Sequence, residues 1–149
     1  MTLVELLIVM AILATIIGVL LPNFNEVRLA TRDNRRKQDM KAIAQALELY
    51  KINQSTASYP GELSITPGNT WLDNGVTYMK AFPKDPLYDT PNGAATFFYR
   101  YYRNSTDNSK YYLGACIEDI GDPDAKTTNP AGWIGCDQGK YRWYYITEP

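Results

Sequence analysis

The chain has 149 residues, 45% of them apolar, and a formal net charge of −1, which suits one modest domain built on one core. It contains no histidine, so imidazole-based catalysis and His-ligated zinc are excluded, and its ten glycines form neither a phosphate-cradling loop nor a dinucleotide fingerprint. The mean hydropathy of −0.34 averages two unlike parts: residues 6–25 carry no charged side chain, whereas residues 26–51 carry eleven.

The first segment, MTLVELLIVMAILATIIGVLLP, is apolar on nearly every side. A helix of that kind must be buried in lipid or among other helices. Residues 1–22 as one helix would extend about 33 Å at ~1.5 Å per residue, enough to span a bilayer core of roughly 30 Å. The segment lacks the basic start and small-residue cleavage site of a secretory signal. Gly18 and Pro22 interrupt it, because Pro22 has no N–H and presses on the carbonyl four residues back, so a bend or a melted turn is expected there.

Glu5 is the single carboxylate in this stretch. Unpaired in lipid it would cost roughly 2–3 kcal/mol on insertion scales, so it needs a cation or water. No basic side chain precedes Arg28, and the nearest cation is the α-amino group of Met1, in the same chain or in a neighbour. With a neighbour's amine, the helix becomes a directional self-assembly device, because apolar contact alone gives no gain on leaving lipid for a bundle. The alternative is a hydrated Glu5 at the helix start, favoured there by the macrodipole.

Residues 24–52 regain helical character, with Met40, Ile43, Leu47 and Tyr50 three and four apart and Ala42, Ala44 and Ala46 among them. Residues 31–39, TRDNRRKQD, have no apolar stripe and are expected to face water or neighbouring subunits. From 53 to 92 the turn signals predict a long ordered connection, with a short helix or strand around 76–81. Residues 96–103, 110–118 and 140–147 read as antiparallel strands. Tyr111, Leu113, Ala115 and Ile117 share one face of the second, and Tyr141, Trp143 and Tyr145 one face of the third; both faces are expected to pack against the helix. Seventeen of the nineteen aromatic residues follow Ser58 and are read as core rather than as a sugar-binding surface.

Cys116 and Cys136 enclose 19 residues, a spacing that matches no metal or redox motif and would close one disulfide loop in an oxidising compartment; the alternative is two buried thiols. Such a loop contributes roughly 3 kcal/mol in the chain-entropy model. The acids Glu118, Asp119, Asp122, Asp124 and Asp137 around it read as a solvated loop, with Asp119, Asp122 and Asp124 as calcium candidates that lack the spacing of a known calcium loop. Residues 26–51 carry net +3 and residues 62–149 net −3, which raises complementary subunit surfaces against the simpler reading of solvated faces. Asn53-Gln54-Ser55 and Asn104-Ser105-Thr106 match the glycosylation sequon. No convergent acid, base and nucleophile can be named, so neither an enzyme nor a cofactor is expected.

The first 22 residues, with Thr2-Leu3-Val4-Glu5-Leu6 and Pro22, resemble the mature amino terminus of bacterial type IV pilins and related pseudopilins, and the architecture of the whole chain is similar to theirs. The resemblance implies a precursor cut before Met1 by a prepilin peptidase, N-methylated at Met1, and drawn from the membrane by pilus assembly machinery into a homopolymeric helical filament. It implies a cross-subunit pairing of Glu5 with Met1, a partly melted stretch at 14–22 caused by Gly18 and Pro22, and a carboxyl region bounded by Cys116 and Cys136. The sequence departs from the family at Met1, usually Phe, and at Ala14, often Gly. The implied fold is α+β: a transmembrane and filament-core helix at 1–25 and a globular domain at 26–149. That domain would comprise an amphipathic helix at 26–52, a connection at 53–95, and a four-stranded or similar antiparallel sheet with its cysteine loop at 96–149. Arg28, Arg32, Arg35, Arg36, Lys37 and Lys41 follow the span and would place this domain in the cytoplasm by the positive-inside rule, unless a removed basic leader restores the inner flank. The expected role is major pilin of a type IV pilus, displayed on the cell surface, with nucleic-acid binding not indicated. The alternatives are a minor pilin or secretion-system pseudopilin, and, in another class, a membrane-anchored extracellular binding domain.

Overall fold

The computed structural model describes residues 2–20, 24–136 and 139–148, without the side chains of Val19 and Leu20. Met1, Pro22 and Asp137 lie outside the described residues. Helix α1 spans Leu3–Leu20 and helix α2 spans Phe24–Asn53. α1 runs without interruption across Gly18, so residues 14–20 of the stretch expected to melt are helical in the single chain.

α2 holds its domain with one inward stripe, Asp33, Arg36, Met40, Ile43 and Leu47, at alternating spacings of three and four. Its second half is apolar, and Met40, Ile43 and Leu47 are fully buried. Beside it a hairpin pairs β1 (Trp71–Asp73) with β2 (Val76–Met79), within the region where a short element was expected. Asn74 and Gly75 turn the hairpin with φ of 48° and 79°, the left-handed pair that a tight two-residue turn requires. Trp71 stacks on Tyr50 at 5.4 Å and lies 5.2 Å from Tyr78, which seats the hairpin on the last turns of α2.

A short helix, α3 (Gly93–Thr96), precedes the main sheet of β3 (Arg100–Arg103), β4 (Tyr111–Ile117) and β5 (Arg142–Thr147), antiparallel in the order β3-β4-β5. The sheet therefore has three strands rather than four, and the hairpin stands apart from it as a second sheet. The first strand also starts later than expected: Phe97 leaves the α3 turn through its N–H to the Gly93 carbonyl and drops into the core against Tyr141, rings 5.0 Å apart.

β4 is the central strand and is covered on both faces. Tyr111, Leu113, Ala115 and Ile117 face α2, as the period of two indicated. The assignment for β5 is corrected. Tyr144 pairs with Ala115 and Ile146 with Leu113, so those two residues face α2, while Trp143 pairs with Cys116 on the opposite side. That outer face is roofed by the loop after β4: Trp133 packs on Trp143, ring centroids 5.7 Å apart, and lies directly over Gly114. A strand buried on both faces loses the alternation that shows which way it points.

Candidate functional site

Every described side chain of α1 is exposed, with its large apolar residues from Leu3 to Ile17 between 48% and 76% accessible. A helix apolar all round has no face on which its own domain can cover it, and this one is left uncovered. Among the described residues no helix is long and apolar enough to cross a membrane. The 18 residues of α1 rise about 27 Å, just under a bilayer core of roughly 30 Å.

Glu5 sits in the first turn of this helix and is exposed. Its Oε2 accepts a hydrogen bond from the Thr2 backbone N–H at 2.7 Å, and Thr2 Oγ1 accepts one from the Glu5 N–H at 3.4 Å. This reciprocal pair is a capping box, in which a threonine and a glutamate three residues on satisfy donors left open by the helix start. The signal Thr2-x-x-Glu5 is legible in the sequence and was missed there. One carboxylate lone pair is thus satisfied within the chain, and the charge itself has no cation within the described residues. Whether Met1 meets it lies outside them.

The polar stretch 31–39 faces water only in part: Thr31, Asn34, Arg35 and Gln38 are exposed, whereas two of its charged residues turn inward. Asp33 and Arg36 are buried, at 2% and 0% accessible. Arg36 makes a two-pronged contact to Asp85, Nε–Oδ2 2.7 Å and Nη2–Oδ1 3.0 Å, and its Nη1 reaches Asp33 at 2.6 Å and Glu118 at 2.7 Å. Arg32 grips both oxygens of Glu118 at 2.7 Å. Asp33 in turn accepts the backbone N–H groups of Glu118 and Asp119, at 3.0 Å and 2.8 Å. Burial works against the Arg36 charge, and the hydrogen bonds it donates to Asp85, Glu118 and Asp33 override it, raising its pKa further. The physical reason for the correction is that a buried cation is tolerated when several carboxylates meet it with good geometry. Asp33 and Arg36 lie seven and four residues before Met40, so they continue its stripe; that spacing was the available signal.

The same contacts revise the charge and metal readings. Lys37 Nζ takes both oxygens of Asp122 and one of Asp124, all at 2.8 Å. The ammonium thus stands where a cation would have to bind, and among the described residues no group of three or more His, Cys, Asp or Glu is placed to hold a metal ion. Arg32, Arg36 and Lys37 are neutralised by Asp85, Glu118, Asp122 and Asp124 of their own chain, so much of the charge difference between helix and domain is satisfied internally rather than between subunits.

Cys116 and Cys136 are both buried and share a cluster with Phe97 and Trp143, but no disulfide joins them here. The Cys136 thiol also donates to the Arg142 carbonyl at 3.3 Å. Arg100, which sequence reasoning passed over, lies buried between the rings of Phe98 and Trp143, 3.7 Å and 5.0 Å from its guanidinium. It donates to the Phe98 and Ile134 carbonyls and comes within 3.9 Å of Cys116 Sγ. The hydrogen bond with Cys136 pulls the Cys116 thiol below its ordinary pKa; burial opposes this, and the Arg100 charge supports it. Nine aromatic residues are buried in the core: Tyr59, Trp71, Tyr78, Phe82, Phe97, Tyr99, Tyr111, Trp143 and Tyr144. No protein-family model, curated protein or solved structure matches the chain.

Proposed function

We propose that this chain is a structural subunit, the major pilin, of a type IV pilus, held in the membrane by its amino-terminal helix and polymerised through it into a surface filament. The observation that carries the reading is α1 itself: a helix apolar on every side, left bare by its own domain, with one carboxylate in its first turn. In lipid that helix is satisfied except at Glu5; beside other copies it is satisfied in full once Glu5 meets the amine of a neighbouring Met1. The resemblance of residues 1–22 to mature pilins supports the same reading, including N-methylation at Met1 and processing by a prepilin peptidase. Its buried aromatics favour a packed core over a sugar-binding face.

The test is Glu5→Gln in the producing cells. Glutamine can still fill the capping box, because its side-chain oxygen accepts the Thr2 N–H, so the substitution removes the charge and keeps the cap. The expected result is a chain that accumulates in the membrane and builds no filaments visible by electron microscopy of sheared surface material. Normal fibres from the Gln variant would show that Glu5 serves the cap alone and would overturn the assembly reading.

A further inference from the structure

The two sequons are treated differently by the fold. Asn53 is the last residue of α2, and the next N–H, of Gln54, turns back to the Lys51 carbonyl at 3.2 Å, so the first sequon starts on helical backbone. Asn104 instead follows β3 in the loop that leads into β4, closed by its own N–H to the Lys110 carbonyl at 2.9 Å. Ser105 and Thr106 are exposed there and Asn104 is half-buried.

The Asn104 side chain is engaged on one side only. Its Oδ1 accepts the Thr106 N–H at 2.9 Å, the Thr106 hydroxyl at 2.8 Å and the Asp107 N–H at 3.2 Å. Among the described residues its Nδ2 has no hydrogen-bond acceptor. An amide nitrogen is a poor nucleophile, and removing its proton places negative charge on the oxygen. Three donors already aimed at that oxygen stabilise this charge, so they ease loss of the Nδ2 proton. Two residues upstream, the Tyr102 ring is 38% exposed and stacked on Tyr112 at 6.3 Å, an aromatic surface beside the acceptor for the C–H face of a sugar.

We propose that Asn104 is an N-glycosylation site and that Asn53 is not. The donor class is an oligosaccharide linked through pyrophosphate to a polyprenyl lipid, used by a membrane oligosaccharyl transferase. Nδ2 forms a bond to the anomeric carbon of the first sugar, and the bond from that carbon to the pyrophosphate oxygen breaks. The lipid pyrophosphate leaves with that electron pair, and the Nδ2 proton passes to a carboxylate of the transferase. Nothing is oxidised or reduced. The inference rests on the proposed function, in which the globular domain lies outside the cytoplasm.

Trypsin cuts after Arg103 and Lys110, so residues 104–110 form one short peptide separate from Asn53. The experiment is peptide mass spectrometry of the full chain recovered from the envelope of the producing cells, with filaments scored in the same samples. The expected result is a 104–110 peptide bearing a glycan mass and an Asn53 peptide at its bare mass. Asn104→Gln and Thr106→Val each abolish the increment, Thr106→Ser keeps part of it, and Asn53→Gln leaves it whole. A bare 104–110 peptide in the unaltered chain, or an increment that survives Thr106→Val, overturns the inference. Bare Asn104 on normal filaments refutes glycosylation alone; a glycosylated chain that never forms filaments refutes assembly alone.

Discussion

Glu118 meets two guanidinium groups at once, and its titration follows from that position. Burial alone pushes its carboxyl upward, but hydrogen bonds from Arg32 and then Arg36 outweigh it and hold the group below the ordinary carboxylate range. Asp122 is depressed in the same direction, because the hydrogen bonds it accepts from Lys37 outweigh the burial that would raise it. A carboxyl whose folded pKa is depressed contributes stability above its unfolded pKa and loses that contribution as the pH falls through the folded value. The domain is therefore expected to hold a level stability from pH 7 to about pH 5 and to weaken below roughly pH 4.3, where unfolded glutamate takes up its proton. Glu118→Gln should lose about 2 kcal/mol at neutral pH, the scale of hydrogen bonds to charged groups, and decline less steeply in acid. Urea unfolding across that pH range measures both; parallel curves for the two proteins would remove Glu118 from the account. Composition concealed this network. Nine consecutive polar residues look solvated, and only the position of Asp33 and Arg36 on the Met40 stripe, together with acids distant in sequence, turns them inward.

At the level of elements, the sequence indicated α2 and three strands, because each is encoded locally by its period. What it did not indicate is which sheet face the third strand turns to α2, and the cause is Gly114. That glycine leaves room in the middle of β4 for the Trp133 ring, which a Cβ would overlap. The loop after β4 folds over the outer face there and hides Trp143, so a residue expected to face the helix lies on the other side. Gly114→Ala should therefore expel Trp133 while β3, β4 and β5 remain paired. The expected cost is about 1–3 kcal/mol, the usual range for an overpacked site. Tryptophan emission shifted to the red at unchanged far-ultraviolet circular dichroism is the signature, and an unshifted spectrum would show that Trp133 is not seated on the sheet.

For the whole molecule, the division of labour between α1 and the rest makes the strongest demand. The core clusters of the described residues draw on α2, the hairpin, the sheet and the loops between them, and on no residue of α1. Folding of the domain should then be independent of the first helix, since the anchoring contacts begin at Arg32 and Asp33, beyond the start of α2. A chain that starts at Phe24 is expected to keep the intact protein's unfolding midpoint within a degree or two, because the described side chains of α1 are exposed and belong to neither core cluster. It should also sediment as a monomer at any concentration at which the full chain associates, because the continuous exposed apolar surface of α1 has gone. The two readouts separate the roles: a midpoint that drops would mean that α1 packs on the domain after all, and a truncated chain that still polymerises would move the assembly determinant out of α1 and into the globular surface.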